Sequence, residues 1–238
     1  MRYYLNIKEA LSEIQRDLAK APSLVSTRVQ QRTGQELKGR ETLGYSYAIE
    51  EGGIPTLCED LIKIGKAFGF STFNDPLMLR WLFSEIRIRR FGIINELNEV
   101  NHHALAQTIE GSWSAYTYGE RLHGAMEAMK EALSTSPDSR RAFWPIFRPE
   151  DSLRAAAPTR IPCSLGYQAL IRDTRQGPRL VLYYLQRSAD FDTFFLTDIF
   201  LAHRFQMSLA EELNVLPGQF LHTIISLHSF AVEGQEVY

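Results

Sequence analysis

The chain has 238 residues, enough for one large domain or two small ones and for a sizeable apolar core. Its 45% apolar and 23% charged residues are ordinary for a globular protein, and a net charge of −2 gives no electrostatic footprint for nucleic acid or a membrane surface. Two cysteines, Cys58 and Cys163, make no disulfide framework, so a reducing cytoplasm is expected.

In chain order, the start MRYYLNIKEALSEIQRDLAK lacks the apolar run of a signal peptide. Leu5, Ile7, Leu11, Ile14 and Leu18 recur at helical spacing and predict a helix over 5–19. Residues 21–44 are polar and basic without periodicity and read as a loop; YSYAI follows as a short strand and EEGGIP as the turn that ends it. From Pro55 a helix is expected, with Leu57, Leu61, Ile64 and Phe68 on one face and Cys58 beside them as a small core residue. DPLMLRWLFSEIRIRR (75–90) predicts a second helix, and a third over 119–134 carries Leu122, Met126, Met129 and Leu133. Beyond TSPDSRR the texture turns β-rich: GYQALIRD, RLVLYYLQ and QFLHTIIS read as strands, with a helix over 198–215 between the last two. A single α+β domain over 1–238 is expected, because no repeat, low-complexity stretch or linker interrupts the chain.

Cys163 sits in TRIPCSLGYQAL, just ahead of a strand, where a cysteine is ordinarily structural. Its company changes that reading. Arg140, Arg141, Arg187 and Ser188 lie around it in sequence and offer the forked, charge-assisted donors that suit a phosphate monoester. Guanidinium groups near a thiol also favour the thiolate, the reactive form. NHH (101–103) has no third ligand at a recognisable spacing, so no metal is expected. A Cys163–His228 hydrolase pair would leave the arginines unexplained. The aromatic run FDTFFLTDIFLAHRF reads as core rather than as a platform for stacked bases.

The ordered set PDSRR, RIPCSLGYQ, QRSAD, an acidic residue eight positions after that Asp, and SLHSF resembles the thymidylate synthase and deoxycytidylate hydroxymethylase superfamily. LRWLFSEI, TIEGSW followed by Tyr118 and Gly119, and RTG at 32–34 resemble further landmarks, so the likeness spans roughly residues 28–230. It implies an α+β, thymidylate synthase-like fold: a mixed sheet packed with helices, in a homodimer formed sheet to sheet. It also implies Cys163 as the nucleophile at pyrimidine C6 and Glu85 as the organiser of water and protons, with 5,10-methylenetetrahydrofolate as co-substrate and no metal. Arg32 (or its rival Arg28), Arg187 and Ser188 would hold the 5′-phosphate, with Arg140 and Arg141 reaching into the partner's site. Gln168 would support the sheet beside the nucleophile. Asp190 would position base and folate, Trp113 would line the folate site, and His228 would bind the sugar hydroxyl.

Asp198 selects among members of that superfamily. Thymidylate synthases carry Asn there, suited to uracil. The hydroxymethylases carry Asp, whose carboxyl group can accept from the 4-amino group of cytosine and, when protonated, donate to N3. Asp198 could instead only cap a helix over 199–213. The resemblance therefore points to C5 hydroxymethylation of CMP or dCMP. A uridylate C5-methyltransferase and a catalytically idle nucleotide-binding relative stay open. Ser164 stands where synthases commonly have His, Phe230 replaces a Tyr and Ser226 an acidic residue, which leaves ribose and deoxyribose both open. The family normally continues well past the position of Phe230, whereas this sequence runs eight residues further, so a shortened C-terminus is expected.

Overall fold

A computed structural model describes residues 1–26, 37–74, 121–153, 155 and 161–230. The predicted helix over 75–90 lies outside them, as do Arg28, Arg32, Glu85, Trp113, Tyr118 and Gly119.

Among the described residues the strands are β1 (Arg2–Tyr4), β2 (Ser23–Ser26), β3 (Leu37–Ile49), β4 (Phe143–Pro145), β5 (Ser164–Thr174), β6 (Gly177–Asp190) and β7 (Leu216–Phe230). The helices are α1 (Ile7–Ala19), α2 (Cys58–Ala67), α3 (Ala125–Thr135), α4 (Pro149–Leu153) and α5 (Phe195–Glu212). The strands form one mixed sheet in the order β1-β3-β7-β6-β5-β4, with β2 also paired to β3. The β6–β7 pair is parallel and joined through α5, as a parallel neighbour requires, and β5–β6 is an antiparallel hairpin.

Several elements depart from the sequence expectation for local reasons. Helix α1 begins two residues later than predicted, because the Asn6 side chain accepts from the Glu9 amide at 3.0 Å while the Glu9 carboxylate accepts from the Leu5 amide at 2.8 Å. Leu5 thus precedes the helix and is exposed, whereas Ile7, Leu11, Ile14 and Leu18 are buried. The expected loop over 21–44 contains β2 and the first half of β3, whose polar sequence pairs at a sheet edge where burial does not enforce a pattern. Helix α2 starts at Cys58, not Pro55. The third helix starts at Ala125 because Gly124, at φ 77°, breaks the chain into a left-handed turn.

One core runs between the sheet and the helices, with α1 packed on β3 and α5 on β6 and β7. The aromatic run belongs to it, since Phe191, Phe195 and Phe200 are buried.

A change of phase in the sheet opens the site. Along β6 the buried positions are Leu180, Leu182, Tyr184 and Gln186, then Ala189; along β7 they are Gly218, Phe220, His222 and Ile224, then Leu227 and Ser229. The pairing of β6 with β7 skips from Gln186–Ile224 to Ser188–Ser226 at the same level. On β5 the register shifts between Ser164 and Gly166, and on β3 Gly44 takes φ 66°. A one-residue slip moves every later side chain to the opposite face. Ser188, Asp190, Ser226 and His228 are therefore half-buried instead of packed in the core.

Candidate active site

Cys163 immediately precedes β5 and is half-buried. The backbone N–H of Arg187 donates to the Cys163 carbonyl at 2.8 Å. The Arg187 side chain wraps the same segment, with Nε donating to the Pro162 carbonyl at 2.9 Å, and Nη2 lying 3.4 Å from the Ile161 carbonyl and 3.9 Å from Cys163 Sγ. A fixed cation at the sulfur is the setting in which a thiolate is favoured. Cys58 differs: burial and the neighbouring Glu59 push its thiol up, as befits a packing residue.

Gln186, the residue before that arginine, points the other way, into the core. Its Nε2 donates to Asp198 Oδ2 at 2.9 Å, and its Oε1 lies 3.0 Å from His222 Nε2. The dipeptide Gln186–Arg187 thus contacts Asp198 with one side chain and Cys163 with the next, in opposite directions. Asp198 does not cap its helix: α5 begins at Phe195, and Asp198 lies in the first turn, 8% exposed, facing the sheet. Ser164 is buried and shares a 2.6 Å hydrogen bond with the Tyr184 hydroxyl.

Asp190 closes β6. Its carboxylate accepts from the Asp192 amide at 3.1 Å and the Thr193 hydroxyl at 2.9 Å, while burial pushes its pKa up against those bonds. Asp190 pairs in register with His228, and Ser188 with Ser226. Burial lowers the pKa of His228, so the ring is neutral at physiological pH. Glu41, opposite His228 on β3, accepts from the Ser226 hydroxyl at 2.5 Å, and Ser226 Oγ lies 3.5 Å from His228 Nδ1. Asp192 accepts from the Ser229 hydroxyl at 2.7 Å and the Phe230 amide at 3.1 Å, and burial lifts it to about 6.

Gln168 Nε2 donates to the Ala142 carbonyl at 2.9 Å, tying β5 to the segment that carries Arg140 and Arg141. Both arginines are exposed, and their loop is braced by the Arg141 amide donating to Ser139 Oγ at 3.1 Å. Beneath it, the buried Arg121–Asp151 ion pair at 2.7 Å and the Trp144 indole N–H donating to the Arg121 carbonyl at 2.8 Å hold β4 in place. The structure thus pairs Cys163 with Arg187 and Asp198 with Gln186, through adjacent residues of β6. Ser188, Asp190 and His228 follow at the C-terminal ends of β6 and β7, and Arg140 and Arg141 stand on the far side of β5. No group of three or more His, Cys, Asp or Glu side chains is placed to hold a metal among the described residues, nor is any described helix long and apolar enough to cross a membrane.

A model of the thymidylate synthase family matches residues 90–237, the stretch that carries this whole cluster. The chain belongs to the thymidylate synthase family. A search of the curated proteins finds no match. Solved structures similar to this one include the thermostable thymidylate synthase A of Bacillus subtilis, at 16% sequence identity and a TM-score of 0.60, over 94% of this chain and 79% of that one. At that identity the likeness establishes the fold, a thymidylate synthase-like mixed sheet packed with helices. The family is one of folate-dependent enzymes that transfer a one-carbon unit to C5 of a pyrimidine nucleotide.

Motif reading missed several residues at this thymidylate synthase-like site. Gln186 was hidden as the unremarked neighbour of an arginine. Tyr47 and His222, 175 residues apart, meet only through strand pairing. Glu41 fell in the presumed loop.

Proposed function

We propose that this chain is a folate-dependent C5 hydroxymethyltransferase acting on a cytidine nucleotide, CMP or dCMP, as a cytoplasmic homodimer. The observation that carries the reading is Asp198, a buried carboxylate bonded to Gln186 and set one dipeptide away from a cysteine with a guanidinium at its sulfur. An amide at this place suits the carbonyl of uracil, and a carboxylate suits the amino group of cytosine.

In this mechanism the Cys163 thiolate attacks C6, and the electron pair of the C5–C6 double bond makes C5 a carbon nucleophile. Arg187 holds the nucleophile's backbone and keeps further N–H donors for the 5′-phosphate. Ser188, Arg32 and the Arg140–Arg141 pair of a second subunit complete the phosphate site. Neutral His228 meets the sugar hydroxyl, and Glu85 moves protons around the base. Bound folate would supply the one-carbon unit to C5 and leave as tetrahydrofolate; the C5 proton goes to solvent, water adds to the exocyclic carbon to give the hydroxymethyl group, and the Cys163 thiolate leaves C6 to restore the ring double bond.

Asp190 fits a folate site. Three hydrogen bonds, from the Asp192 amide and from the hydroxyl and amide of Thr193, use most of the roughly four lone pairs of its carboxylate, so about one acceptor position stays open for an N–H group of a pterin. Trp113 would supply the aromatic wall.

The decisive experiment supplies C5-tritiated CMP, dCMP, UMP and dUMP with methylenetetrahydrofolate, measures tritium released to water, and identifies the product by mass. Release from cytidylates with a hydroxymethyl product is expected. Release from uridylates alone would assign a methyltransferase, and nucleotide binding without any release would assign an idle relative.

A further inference from the structure

Asp198 is joined to a chain of hydrogen bonds that runs through the core. Tyr47 Oη lies 2.9 Å from His222 Nδ1, His222 Nε2 lies 3.0 Å from Gln186 Oε1, and Gln186 Nε2 lies 2.9 Å from Asp198 Oδ2. The first three residues are at most 1% exposed. The His222 ring is also caged. Tyr184 stacks on it at 4.5 Å and 7°, and Tyr47 and Phe195 pack at 5.3 and 5.9 Å.

Such a chain can run in two directions, since a glutamine amide can flip and a histidine can exchange tautomers. Here the inventory of protons selects one. Burial keeps Tyr47 protonated, its pKa raised well above 10, and lowers His222 to about 3, so the ring is neutral with a single N–H. Among the described residues the Tyr47 hydroxyl has one partner, His222 Nδ1. If Nδ1 carried the proton, that hydroxyl hydrogen would be buried without an acceptor. Nδ1 therefore accepts from Tyr47, Nε2–H donates to Gln186 Oε1, and the amide must present its N–H to Asp198. Reversing the chain would turn Oε1 toward Asp198, which would then have to be a protonated acid.

We propose that Tyr47, His222 and Gln186 are a positioning relay that holds Asp198 as an ionised hydrogen-bond acceptor, and so sets the preference of this site for a 4-amino over a 4-oxo pyrimidine nucleotide. The proposal rests on Asp198 reading the base and adds what fixes its protonation and orientation. Tyr47 is the residue that gives the relay its direction. Without its hydroxyl, His222 is free to take the other tautomer, the amide to flip, and Asp198 to become a donor. A donor matches the O4 of uracil and clashes with an amino group.

The test measures dissociation constants of CMP and UMP for the parent, Asp198→Asn and Tyr47→Phe, together with the 15N spectrum of the His222 ring in the parent. The expected result is an Nε2–H tautomer, a preference for CMP that Asp198→Asn reverses, and a preference that Tyr47→Phe narrows about five- to tenfold, the size of one hydrogen bond. The narrowing should come from weaker CMP binding with UMP unchanged or tighter. Equal weakening of both nucleotides would show a merely structural role and overturn the relay, as would an Nδ1–H tautomer. If Asp198→Asn leaves the preference untouched, the base-reading assignment fails first. The tautomer stays decisive even if Tyr47→Phe does not fold.

Discussion

The two ends of the site are built on opposite principles. Around Asp198 the polar groups are buried, bonded to one another and caged by aromatic rings. Around Arg140 and Arg141 two guanidinium groups stand exposed on a loop whose backbone is braced by Ser139. A carboxylate in the core must be paired within the chain, because an unpaired buried charge is prohibitively costly. An exposed arginine costs nothing until an anion arrives. On the proposed reading, the end that reads the base is held within one chain, while the end that binds phosphate is completed by ligand or a second subunit.

The proposed nucleophile, Cys163, gives the largest expected effect. Cys163→Ser should reduce tritium release by on the order of a thousandfold or more. Thermal stability should be unchanged, since the backbone bond from Arg187 survives. Asp198→Asn comes next: it should cost about a hundredfold in kcat/KM for cytidylates and raise turnover of uridylates relative to them. Loss on both nucleotides together would mean that the buried end holds structure and does not read the base.

Much of this was legible because the chemistry sits in short sequence-local motifs. PDSRR, the cysteine ahead of β5, QRSAD and SLHSF each fall at a strand end or loop where local order predicts them. The α+β class followed from the same texture. What could not be read depends on pairing over long separations. The phase change across four strands has no local signature apart from Gly44, yet it leaves Ser188, Asp190 and His228 half-buried instead of packed in the core. β2 and the start of β3 looked like loop because an edge hairpin needs no apolar alternation. Asp198 looked like a helix cap because nothing in the sequence shows that α5 begins three residues earlier, at Phe195.

Arg141→Ala tests the exposed end. Loss of a charge-assisted contact should weaken nucleotide binding about ten- to a hundredfold, with no change in stability because the side chain is solvated. If the pair reaches across a two-fold axis, mixing Arg141→Ala with Cys163→Ser protein should restore up to about a quarter of the parent activity, through sites built from one intact half of each. Failure to complement would leave the arginines serving their own subunit.

The smallest effect is one of pH. Asp192, held by Ser229 and the Phe230 amide, titrates at about 6 in the native chain, against about 3.9 when unfolded. Between these values the native chain holds a proton that the unfolded chain has released. This group's contribution to stability is therefore present at low pH and is lost as pH rises from about 4 to about 6. The buried histidines act in the opposite sense. His203, His222 and His228 have lowered pKa values, so their contribution is lost as pH falls below about 6.5. Comparing denaturation midpoints of the parent and Asp192→Asn at pH 4.5 and 7 isolates the aspartate, since the histidines are common to both. The variant should gain on the parent at pH 7 relative to pH 4.5, because its amide still accepts from Ser229 and Phe230 without a charge to bury. An unchanged difference would shift the effect to Asp190, the neighbouring carboxylate that burial raises in the same direction.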